Sequence, residues 1–100
     1  IYGNPERFVD YPCQVIHWAA SAPGNPPMQG SSEWLAGKTP MGGCDERPFG
    51  QGKSIIIDHM CRKTITEMKN TPFIMAPECS VSPKVQPGEL RAFRDSVEKY

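Results

Sequence analysis

Residues 42–52, "GGCDERPFGQG", place a cysteine beside two acids, an arginine, a proline and an aromatic residue, with four glycines around them. Adjacent carboxylates on a glycine-flanked loop can hold a divalent cation through their oxygens. Alternatively, one can act as a base while a neighbouring arginine steadies a phosphate. Two histidines, His17 and His59, are available for proton transfer. The catalytic reading therefore uses Asp45, Glu46 and His59, with or without a divalent cation, and nucleic acid as substrate, with Glu33 and Arg47 also at hand; the non-catalytic reading needs no cofactor. The non-catalytic reading gives Asp45 an Asx turn and leaves the charges in solvent. The binding contacts would then be Arg47, Phe49 and Trp34. The neighbouring "GQGKS" (50–54) does not make a phosphate loop, because the motif needs a glycine at position 47, which is arginine.

Cys44, Asp45, Glu46, Pro48 and Phe49, within "CDERPF", resemble the acidic Cys-Asp-Glu segment in the active region of secreted NucA/NucB-type nucleases. That resemblance covers six residues and implies a small secreted nuclease. Tyr11 and Cys13 in "DYPCQ" resemble the Tyr-x-Cys signature of small secreted fungal effectors with a ribonuclease-like fold. That second resemblance implies a secreted interaction protein without catalysis.

Composition narrows the field. A chain of 100 residues forms one domain with a modest core. Eleven prolines and nine glycines without a period indicate long loops, while 38 % apolar residues exceed what a disordered chain carries. Eleven basic and eleven acidic residues give zero net charge, which argues against a strong non-specific grip on nucleic acid. No apolar run reaches the length of a membrane span. Ile1, with no methionine or leader-like stretch at the start, reads as the beginning of a processed or a trimmed chain.

Cys13, Cys44, Cys61 and Cys79 are separated by 31, 17 and 18 positions, with no Cys-x-x-Cys pair. Structural zinc sites usually bring ligands in close pairs. The even count in a short chain predicts two disulfides and an oxidising, extracellular location. Three connectivities satisfy the count. Pairing Cys13 with Cys79 and Cys44 with Cys61 is preferred, since it ties the first strand to the last and the glycine-rich loop to the central helix.

Several elements must position these residues. "RFVDY" (7–11) alternates like a short strand, and "CQVIHWAA" (13–20) is the best strand candidate in the first half. Residues 21–32, rich in Pro and Gly, read as a surface loop. "SSEWLAGK" (31–38) suits one helical turn, and 39–53 reads as loop. "SIIIDHMCRKTITEMKN" (54–70) has Ile57, Met60, Cys61, Ile65 and Met68 on one helical face, with Pro72 as a stop. Ser54 is a candidate cap. "PFIMA" (72–76) reads as a strand. "GELRAFRDSVEKY" (88–100) reads as a helix with Leu90, Phe93 and Val97 on its buried side.

The sum is an α+β domain over residues 1–100: a short antiparallel sheet, a central helix, a C-terminal helix, long loops and two disulfides. The expected function is a secreted, monomeric, effector- or toxin-like module that binds a protein partner without catalysis. Its loop surface would lie in residues 21–53. A small secreted nuclease using the acidic pair and a histidine is the alternative.

Overall fold

The structure is a computed structural model and describes residues 4–100, so the reading of Ile1 as a processed start lies outside the described residues. Strands β1 (Val15–His17), β2 (Thr39–Cys44) and β3 (Ile74–Pro77) form one sheet in the order β1-β2-β3. Helix α1 (Ser54–Glu67) joins β2 to β3, and helix α2 (Pro87–Lys99) follows β3. Short 3-10 turns occupy Pro5–Phe8 and Ser31–Glu33, so "RFVDY" is not a strand. No helix among the described residues is long and apolar enough to cross a membrane.

Both strand pairings are parallel, which corrects the antiparallel expectation. The physical reason lies in the connections. A parallel pair needs a long crossover, whereas an antiparallel pair can use a tight turn. Residues 18–38 and 45–73 are both long enough to return the chain to the same end of the sheet. β2, the central strand, falls in a stretch that reads as loop because it contains Pro40, Gly42 and Gly43. Its pairing with β3 begins only at Met41, so the missing N–H of Pro40 sits before that ladder.

The expected disulfides are also absent: all four cysteines, all of them described residues, are free. Cys13 precedes β1 and Cys79 follows β3, so the parallel sheet puts them at opposite ends of their strands. Cys44 and Cys61 do meet, but their sulfurs are 3.9 Å apart, a thiol–thiol contact and not the roughly 2.05 Å of a bond. Both behave there as small buried apolar groups.

Two clusters form the core. Ile16, Trp18, Met28, Leu35 and Met68 make the first, with Trp34 and Phe73 packed against it. Cys44, Phe49, Ile57 and Cys61 make the second, flanked by Met75, Ala92 and Phe93. α1 serves both: Ile57 and Cys61 sit one turn apart in the second, and Met68, just past its end, enters the first. Ile65 is only half-buried. The stretch 21–32 is less of a surface loop than its composition predicts. Met28 and Ser31 are buried in it, and the Trp18 indole N–H donates to the Pro26 carbonyl at 2.7 Å.

α2 turns a different face inward from the one its apolar spacing suggests. Leu90 and Val97 are 48 % and 58 % exposed, while Glu89 and Ser96 are buried beside half-buried Ala92 and Phe93. The Glu89 carboxylate explains this choice. It accepts the Gln86 N–H at 2.8 Å, closing a capping box at the start of α2, and the Gly50 N–H at 2.9 Å. The N–H groups of Gln51 and Gly52 also point to it. One side chain thus fastens α2 to the turn before α1, and these four N–H groups hold the carboxyl below the usual glutamate range, the Gln86 contact first among them.

Candidate functional site at the carboxyl end of the sheet

In open parallel sheets, ligands gather outside the carboxyl ends of the strands, where chain segments diverge. Here three segments leave that end: 18–21 after β1, 45–47 after β2 and 78 after β3. They surround two neighbouring concavities of about 410 and 170 Å³, which share Ser21, Asp45 and Glu78 in their walls. The larger lies in the volume range of small-ligand sites.

Gly42 and Gly43 make the floor passable. A β-carbon on Gly42 would stand 3.2 Å from the Trp18 carbonyl and 3.7 Å from the Glu78 side chain. One on Gly43 would fall 2.5 Å from the Thr64 methyl group. Gly43 also has a φ of 92°, a left-handed value that favours glycine. With no side chain between them, residues from β1, β3 and α1 close over β2. Thr64 donates its hydroxyl to the Gly43 carbonyl, and His17 reaches across to the Pro77 carbonyl, with its Nε2 at 2.9 Å.

Glu78 is the central charged group. It is 6 % exposed. Its backbone N–H donates to the Cys44 carbonyl at 2.9 Å, extending the β2–β3 ladder by one step. One carboxylate oxygen accepts the Ser21 backbone N–H at 3.0 Å. Its other oxygen has no protein partner among the described residues. Around it, the larger cavity is lined by Met60, Lys63, Thr64 and Glu67 along one face of α1, by Met68 just past its end and by Met28 from the 21–32 stretch.

Asp45 is already engaged. Its carboxylate accepts the Arg47 backbone N–H at 2.9 Å, the expected Asx turn, and the Arg47 guanidinium, whose Nε lies 3.0 Å from Oδ1 and 2.9 Å from Oδ2 and whose Nη2 also donates to Oδ2. The guanidinium lowers the carboxyl below the ordinary aspartate range. Glu46 and Arg47 line the smaller cavity with it. His59 is exposed on α1 and lines neither cavity, so Asp45, Glu46 and His59 do not converge. Glu33 is exposed in the 3-10 turn. Among the described residues, no three His, Cys, Asp or Glu side chains are grouped so as to hold a metal ion.

The binding candidates separate similarly. Arg47 is exposed at the smaller cavity. Phe49 is 2 % exposed and packs edge-on against Phe93, with ring centroids 6.0 Å apart, so it offers no contact surface. Trp34 leans on Trp18 at 5.0 Å and is half-buried. Of the cysteines, Cys13 and Cys79 are exposed and Cys44 and Cys61 buried. The contact with Cys61, and then burial, push the Cys44 thiol up, so it keeps its proton.

Sequence reasoning missed Ser21, Lys63, Thr64 and Glu78. The Gly-Gly pair carried the signal: paired glycines in a strand-length stretch mark a place where other chain segments approach closely. The chain matches no protein-family model, and no curated protein is significantly similar to it.

Proposed function

We propose that this protein is a non-catalytic interaction module whose contact surface is the trough at the carboxyl end of its parallel sheet. The observation that carries the reading is the larger cavity, with a buried carboxylate in its wall and three divergent chain segments around its mouth. Loops placed by a rigid sheet are where specificity is commonly built. The surface overlaps the 21–53 region that composition points to, extended by Glu78 and by α1. An effector- or toxin-like role is compatible with such a module.

The nuclease alternative has less support. Its acidic pair is split by the Asp45–Arg47 contact, and its histidine lies outside both cavities. Two experiments test the reading. Incubation with plasmid DNA and with RNA, with magnesium or with chelator, should give no cleavage. Metal-dependent cleavage that disappears in an Asp45→Asn, Glu46→Gln double variant would establish the nuclease instead. Selection from a random peptide library should yield binders that fail to bind Ser21→Trp, which fills the shared wall of the two cavities while keeping the backbone N–H bonded to Glu78. Binders indifferent to that variant would place the contact surface elsewhere.

A further inference from the structure

Resting on the interaction reading, we infer that the larger cavity receives a lysine side chain from a partner protein, its ammonium on the free oxygen of Glu78 and its alkyl stem against the methionines. Asp45 is held by Arg47, and the Arg47 charge is correspondingly occupied. Glu78 is buried, yet only one of its oxygens is bonded by the protein. The second oxygen, not enclosed by protein, is left open to an incoming charged donor from the cavity.

The wall chemistry selects the donor. With the Asp45 charge met by Arg47, the lining side chains leave two carboxylates, Glu67 and Glu78, against one ammonium, Lys63. An anion would be repelled by that balance. Met28, Met60 and Met68 offer a flexible apolar surface that accommodates an unbranched stem. A lysine has such a stem of four methylenes ending in three donors, and its compact head fits a single carboxylate oxygen. The Thr64 hydroxyl is committed to Gly43, so it does not compete for Glu78. Lys63 is exposed on α1. Its like charge beside the incoming ammonium weakens the site and gives a test that leaves the core untouched.

The probe is Nα-acetyl-lysine N-methylamide, titrated into 15N-labelled protein and followed by amide shifts. Saturable shifts are expected at residues 20–21, 43–45, 63–64 and 78, with a dissociation constant of order 1 mM for so small a ligand. The norleucine analogue, with the stem but no charge, and the glutamate analogue should bind at least about tenfold more weakly. Glu78→Gln, which keeps an acceptor for the Ser21 N–H, should lose the lysine preference. Lys63→Gln should tighten lysine binding about twofold or more by removing the like charge. Equal binding of lysine and norleucine, or weaker lysine binding by Lys63→Gln, overturns the inference. Should Glu78→Gln fail to fold, the comparison of probes on the parent protein and on Lys63→Gln decides alone. If library peptides depend on the cavity yet carry no lysine at their anchor, the lysine inference falls while the binding surface stands.

Discussion

A methyl group added at Gly43 would meet the Thr64 side chain at 2.5 Å and would have to adopt a φ of 92°. Both penalties act together, since a strained backbone position alone costs about 1–3 kcal/mol. Gly43→Ala should therefore lose at least that much stability in urea unfolding. The expected partial rescue is the double variant with Thr64→Ala, which removes the clash but not the strain. A Gly43→Ala protein as stable as its parent would show that β2 does not take this path. Thiol chemistry gives a second expectation at the same scale. With Cys13 and Cys79 exposed and Cys44 and Cys61 buried, a thiol reagent should titrate two groups quickly in the native protein and four after unfolding. Counting fewer than four in denaturant would mean that a bridge exists. Single residues were legible in sequence where their effect is local. Asp45 forms its Asx turn with the residue two places on, and the turn is readable from Asp, Arg and Pro alone. Phe49 looked equally ready for the surface, because nothing local says that Phe93, 44 positions later, will cover it.

Helix α1 was legible because its apolar residues recur at helical spacing and Pro72 follows. β2 was not, because the feature that suits it to the centre of the sheet, the absence of side chains at positions 42 and 43, is also the signature of a loop. α2 shows a third situation. Its helix was readable but its buried face was not, since Glu89 rather than Leu90 turns inward, and a carboxylate is buried only when partners wait for it. Those partners are N–H groups of residues 50–52 and 86. This arrangement has a consequence for pH. The Glu89 carboxyl is depressed in the folded protein, so its contribution is complete above the unfolded value of about 4.3. It is lost as pH falls from there through the lower folded value. Glu89→Gln should lower the melting temperature at pH 7, and should flatten the decline of stability on acidification relative to the parent. If the parent and the variant lose stability in parallel between about pH 5 and pH 2, another carboxylate governs the acid limb.

At the scale of the whole molecule, parallel topology decides where a site can exist. It sends the segments after β1, β2 and β3 to one end and leaves Cys13 and Cys79 at opposite ends, so one fact locates the trough and removes the expected bridge between them. The sequence carries the lengths of the connections that make this topology feasible, but strand direction emerges only when β2 is recognised as a strand. Whether the two core clusters act as one follows from α1. Ile57 and Cys61 belong to the second cluster and Met68 to the first, so the helix cannot leave one without loosening the other. Both tryptophans report the first cluster, since Trp18 lies in it and Trp34 packs on it. The helices, which dominate far-ultraviolet circular dichroism, report the second. A single coupled core predicts coincident unfolding curves from fluorescence and dichroism. Ile16→Ala and Ile57→Ala, at 3 % and 0 % exposure, should each cost about 2–5 kcal/mol and should shift both curves together. If Ile16→Ala displaces the fluorescence transition alone, β1 and its long connection form a separately melting layer. The trough would then open before the helices unfold, because Met28 belongs to that layer and also lines the larger cavity.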